Sequence, residues 1–206
     1  MDFDKDLVTK SLDEAYLWLG RAISDFSEVE NALGRVYQSC FEFDSRPVAM
    51  HAYLGIRDTA ARQSMVSRAV FYTLSFIGNP KDLVQSWRDA RDAVKKLSEL
   101  RNKIAHGSVI CRSPEPEGDT YTAYVLPYAH TEPYADAAHR YLKGNGASPK
   151  GIWAAKNEEI YVSDLEQFTL DCDEVGSTLK AFGRDLEAGL EKARSDRLST
   201  PTQPTP

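Results

Sequence analysis

The 206-residue chain holds only three cysteines, Cys40, Cys111 and Cys172, far apart and without a CxxC pair. So sparse and odd a set argues against a disulfide frame or a zinc site and for reduced thiols in a cytoplasm. Histidine is equally scarce: His51, His106, His130 and His139 show no HxxxH or carboxylate spacing, so no metal centre is expected. No run of about 18 apolar residues exists, which excludes a membrane-spanning helix. The opening "MDFDKDLVTK" is acidic and lacks an apolar core, so it does not read as a secretory signal. Positive charge is also short. The net charge is −6, a poor starting point for coating a nucleic acid by electrostatics alone.

What remains is ordinary for one globular domain, with 42% hydrophobic and 27% charged residues. Helical periodicity dominates the first half. Leu12, Tyr16, Leu19, Ile23, Phe26, Leu33, Val36, Tyr37 and Cys40 recur at three, four and seven, predicting one helix from Leu12 to Phe41. Gly20 and Gly34 are its weak points. "FDSRP" breaks it, because the residue before proline avoids helix. A second helix is expected from Val48 to Phe76, with Leu54, Ala61, Met65, Ala69, Tyr72 and Phe76 inward and "GNP" as its stop. A third runs from Lys81 to His106, where Gly107 is placed to take the left-handed conformation that closes a helix.

The pattern then changes. "CRSPEPEGD" reads as a surface loop and "TYTAYVLPY" as a short strand, demoted to an edge by Pro127. "IWAAKNEEIYV" suggests a hairpin turning near Lys156 to Glu158. "SDLEQ" offers a capping box between Ser163 and Glu166. The last helix follows to Arg194, with Leu165, Phe168, Leu179, Phe182, Leu186 and Leu190 inward. The expected organisation is a single all-α domain over 1–194, a bundle of four long helices with a loop and β insertion over 112–162. A tail over 195–206, without apolar content, is expected to be disordered.

One short stretch carries chemistry. From Arg88 to His106 six basic residues face three acidic ones, so that helix is +3 and the rest of the chain −9. On a helical wheel Val94, Leu97, Leu100, Ile104 and Ala105 share one apolar face, and Arg101 projects inside it. Asn102 and His106, one turn apart, flank that face. Arg91, Lys95 and Ser98 extend the ridge toward the N-terminus, with Arg91 and Lys95 as candidate backbone-phosphate contacts. An ordinary architectural reading stays open. Arg101 would pair with Glu28 or Glu30, and His106 would serve the helix terminus.

"RNKIAHG" resembles the R-x4-6-H motif of the HEPN superfamily (higher eukaryotes and prokaryotes nucleotide-binding), which often has a polar residue directly after the arginine. The likeness covers the helical frame, about residues 10–110 plus the final helix, and leaves out the insertion. It implies an HEPN-like helical bundle and, in many members, a metal-independent endoribonuclease, frequently a toxin or antiviral effector. Such proteins act as homodimers with both motifs in one cleft, need no cofactor, and use RNA as substrate. The implied catalytic residues are Arg101, Asn102 and His106. A cognate antitoxin protein, of nucleotidyltransferase type in some systems, is the implied partner. Other members have lost activity and serve as binding or regulatory modules, so a silent helical dimer is the competing reading. A ligand-sensing bundle has no feature in its favour beyond the pocket any bundle can hold.

The tyrosines Tyr121, Tyr124, Tyr128, Tyr134 and Tyr141 offer base-stacking rings, although packing of the insertion is their simpler use. "YLKGNG" lacks the strand and helix that a phosphate loop requires.

Overall fold

The computed structural model describes residues 5–112, 121–126 and 159–199. Helix makes up 84% of them, beside one small three-stranded sheet. The elements are α1 (Lys5–Ser39), a 3-10 turn (Phe43–Ser45), α2 (Arg46–Gly55), α3 (Thr59–Phe76) and α4 (Lys81–Ala105). After them come β1 (Ser108–Arg112), β2 (Thr122–Leu126), β3 (Ile160–Tyr161) and α5 (Val162–Ser199). The chain divides into two compact units. One comprises residues 1–26 and 99–171, the other 27–98 and 172–206, so α1, α4 and α5 each contribute a stretch to both.

In the second unit, the expected single helix over 48–76 is broken. Ile56 is extended, and Asp58 restarts the helix by accepting the Ala61 N–H at 2.6 Å. The Arg62 Nε donates to the Ile56 carbonyl at 2.6 Å, satisfying a group that the break would otherwise orphan. The new start also rotates the buried face. Ala49, Tyr53, Val66, Val70, Thr73 and Leu74 are buried, whereas Leu54 and Tyr72 are exposed. Gly34 is a close approach rather than a weak point, since a Cβ there would stand 2.9 Å from the Tyr53 ring. Tyr53 donates its hydroxyl to the Glu30 carbonyl at 2.7 Å, and Arg62 lies 5.3 Å over its ring. The fully buried Trp87 packs against Phe182 at 5.3 Å. "GNP" stops α3 as expected, with positive φ at Gly78 and Asn79.

Cys40 lies in this unit, where burial pushes its thiol up to about 11 from an ordinary 9.0. The folded chain thus holds that proton more tightly than the unfolded chain does. Its stabilising contribution is complete below pH 9.0 and is lost as pH rises toward 11. Urea midpoints are expected to fall across that window, and Cys40→Ala to flatten the decline. An equal slope in both proteins would refute this.

The first unit holds the sheet, in the order β1-β2-β3, antiparallel throughout. β2 is therefore central, not the edge strand that Pro127 suggested. Ala123, Tyr124, Val125 and Leu126 are all buried, as befits a strand covered on both faces. Ser11 of α1 reaches it, donating to the Tyr121 carbonyl at 3.3 Å and accepting the Ala123 N–H at 3.1 Å. α1 buries Ala15 and Ala22 in this unit and leaves Tyr16 exposed, one position away from the expected stripe. Ala15 and Ala22 share the innermost positions with Phe26, which is buried as the stripe predicts, and Leu12, Leu19 and Ile23 lie half-buried beside them. α5 begins one residue before the expected Ser163. There Asp164 accepts the Tyr161 N–H at 2.8 Å, half of a capping box shifted by two positions. Its expected apolar positions are all buried. The helix also runs past the expected Arg194 to Ser199, so residues 195–199 of the expected tail are helical. Residues 200–206, the proposed hairpin turn at 156–158 and most of the insertion lie outside the described residues.

Candidate functional site

The site is built on the last turn of α4. Ile104, 1% exposed, anchors this turn in the core of the first unit and thereby fixes the faces of its neighbours. The helical hydrogen-bond pattern continues one residue past the helix, because the His106 N–H donates to the Asn102 carbonyl at 3.2 Å. His106 is thus held one turn above Asn102, and both are exposed. Gly107 follows without the left-handed conformation expected of it, since Gly78 is the positive-φ glycine among the described residues. Its role is steric. A Cβ at this position would overlap the Val125 side chain and lie 3.0 Å from the carbonyl oxygens of Lys103 and Leu126.

Overpacking of that kind costs about 1–3 kcal/mol. Gly107→Ala is therefore expected to lower the urea midpoint measurably, and an unchanged midpoint would show that β2 yields without cost.

Arg101 is half-buried, and none of the ion pairs among the described residues includes it. The two carboxylates named as its partners are engaged elsewhere. Glu28 accepts from Asn31 at 3.3 Å, while Glu30 accepts from Thr59 at 3.1 Å and from Arg62 at 3.3 Å. Arg101 rests instead over the Phe26 ring, 5.8 Å from its centroid, and Phe26 stacks on Phe168 at 6.4 Å. Its Nε is buried with no hydrogen-bond partner. Its Nη1 donates to Asn102 Oδ1 at 3.3 Å. A guanidinium has only donors, so this bond fixes the Asn102 amide with its oxygen toward Arg101 and its NH2 turned away.

The arrangement offers a planar cation whose terminal nitrogens carry donors beyond the bond to Asn102, an oriented amide and an exposed imidazole, all within one turn and a half of helix. Such a set can address phosphate oxygens and exchange a proton. Phe26 was legible only as a core residue, and no local pattern marks it as the seat of Arg101.

Arg91, Lys95, Ser98 and His51 fall in the second unit. Arg91 is occupied by Asp92, with contacts of 3.0 and 2.8 Å, so its charge is partly spent. Lys95 is exposed. Ser98 is structural, accepting from Gln63 at 2.6 Å and donating to the Val94 carbonyl at 2.8 Å. His51 is exposed on α2, while His130 and His139 lie outside the described residues. Tyr124 is buried and packs against Tyr161 at 5.9 Å, the packing use expected of it. Tyr121 is half-buried, and Tyr128, Tyr134 and Tyr141 are outside the described residues.

Among the described residues no helix is long and apolar enough to cross a membrane. Comparison with family profiles, with curated proteins and with solved structures gives no match.

Proposed function

We propose that this chain is an endoribonuclease of HEPN type that cleaves RNA without a metal and works as a homodimer. One observation carries the reading: Arg101 lies half-buried over Phe26 with no carboxylate partner among the described residues, hydrogen-bonded to the Asn102 beside it. An architectural arginine at such a position is normally neutralised by an acid, and this one is left with donors to offer.

The chemistry is an internal displacement. The ribose 2′-oxygen attacks the adjacent phosphorus, its proton passes to a base, and the 5′-oxygen leaves with a proton from an acid. Arg101 would stabilise the charge that grows on the non-bridging oxygens. His106 would move the protons, and Asn102 would hold the ribose or the imidazole through its outward NH2. One chain brings a single such histidine, whereas the reaction profits from both an acid and a base. A two-fold interface beside α4 would bring His106 of a second copy to the same phosphate, which is the reason for the dimer. A cytoplasmic setting and a cognate antitoxin belong to the same reading.

The test is cleavage of RNA by purified protein in the presence of EDTA, wild type against His106→Ala and Arg101→Ala. The competing reading is a silent helical module that binds a partner. The net charge of −6 favours it, because a nuclease gains from a field that attracts phosphate. An intact dimer with no cleavage of any RNA would decide for that module.

A further inference from the structure

The second unit carries a basic groove that the proposed cleavage does not use. It has a volume of about 280 Å³ and lies between residues 35–39 of α1 and residues 179–187 of α5. Val36 and Leu179, both buried, form an apolar floor, and Gly183 leaves that floor open for want of a side chain. Arg35, Lys180 and Arg184 line the rim. All three are exposed, and none of their side chains makes an ion pair among the described residues.

The charge pattern is unusual for a chain of net −6. Helical cations are commonly balanced by acids three or four positions away. Neither Arg35 nor Lys180 has one in either direction, and Arg184 has only Glu187. Glu187 is already committed, to Arg46 Nη2 at 3.0 Å and to the Ser39 hydroxyl at 3.0 Å. Lys180 and Arg184 are themselves four apart, a like-charge pair that destabilises a helix until an anion bridges it. The Ser39 hydroxyl has a single hydrogen, with Glu187 and the Arg35 carbonyl (3.1 Å) both in reach, so it can turn to a ligand at little cost. The one carboxylate on the rim is neutralised and the three cations are not.

We propose that this groove binds a phosphate-bearing ligand, its phosphate oxygens held by Arg35, Lys180 and Arg184 with the Ser39 hydroxyl as an added donor. Guanidinium forks and an ammonium supply the charge-assisted contacts such a group requires. The apolar floor accepts the body that carries it. The phosphate can belong to a free nucleotide or to a nucleic-acid backbone.

Calorimetric titration of the full chain at low ionic strength separates the two. Pyrophosphate and ADP are titrated into the wild type, and a short RNA into a His106→Ala chain that leaves it uncut. Lys180→Gln/Arg184→Gln is expected to weaken binding at least about tenfold, the loss of two charge-assisted contacts. Arg68→Gln/Lys192→Gln makes the same change in net charge at exposed positions elsewhere and is expected to leave binding unchanged. A tenfold loss for ADP and pyrophosphate assigns a small-molecule site, and a loss for RNA alone assigns a backbone contact. No saturable binding of any probe, or equal weakening in both double variants, overturns the proposal. Should the first double variant melt early, Arg35→Gln gives the same reading through a single exposed side chain.

Discussion

Replacing His106 with alanine is expected to lower RNA cleavage by about 10²–10⁴-fold, the usual contribution of a positioned acid or base. The imidazole is exposed and its backbone is pinned to Asn102, so its loss removes a proton carrier without opening a cavity. Arg101→Ala is expected to cost about 10²–10³-fold through lost stabilisation of the developing phosphorane charge. Arg101→Lys keeps the charge but not the planar fork, and it should recover little of that loss. Gel assays in EDTA, with melting curves for each variant, read all three. Equal cleavage by wild type and both alanine variants would mean that a contaminating nuclease does the cutting.

Phe26→Ala is expected to destabilise the protein by about 3–5 kcal/mol, the range for deleting a fully buried ring. Phe26 is 1% exposed and stacked on Phe168, so little around it can collapse into the space. The same substitution removes the surface on which Arg101 lies. Phe26→Leu separates the two effects, since it keeps most of the volume and loses the ring face that attracts the cation. A urea midpoint close to wild type with cleavage sharply reduced is the expected result for leucine. Full cleavage by Phe26→Leu would show that the ring fills space and does nothing to hold the guanidinium.

Much of the frame was readable from local pattern. The apolar positions of α5 and the stop at Gly78 depend on spacing and turn chemistry within a few residues, and they stand where expected. The break at 56–58 was hidden, because apolar residues surround α3 and leave its phase ambiguous. The Asp58 cap was visible only as one aspartate among several. β1 includes Cys111 and Arg112, which the pattern places in a surface loop, because a five-residue run acquires its identity from the strand it pairs with, here β2. The motif at Arg101, Asn102 and His106 was legible because its three members lie on one helical turn and a half. What surrounds Arg101 was not. Phe26 is remote in sequence, and the engagement of Glu30 with Arg62 depends on the broken helix that the pattern concealed.

The ladder between β1 and β2 has a consequence for engineering. Arg112 and Thr122 are paired partners, which holds their Cα atoms about 4.5–5.5 Å apart whatever the intervening residues do. Any replacement peptide whose two ends can meet at that spacing satisfies the same closure, and lengthening it adds only a slowly growing entropic cost. The register therefore constrains only the two paired ends, and Tyr121, whose carbonyl accepts from Ser11, belongs with the fixed part. The same pairing tethers the strand that begins two residues after His106 to a partner buried from Ala123 to Leu126.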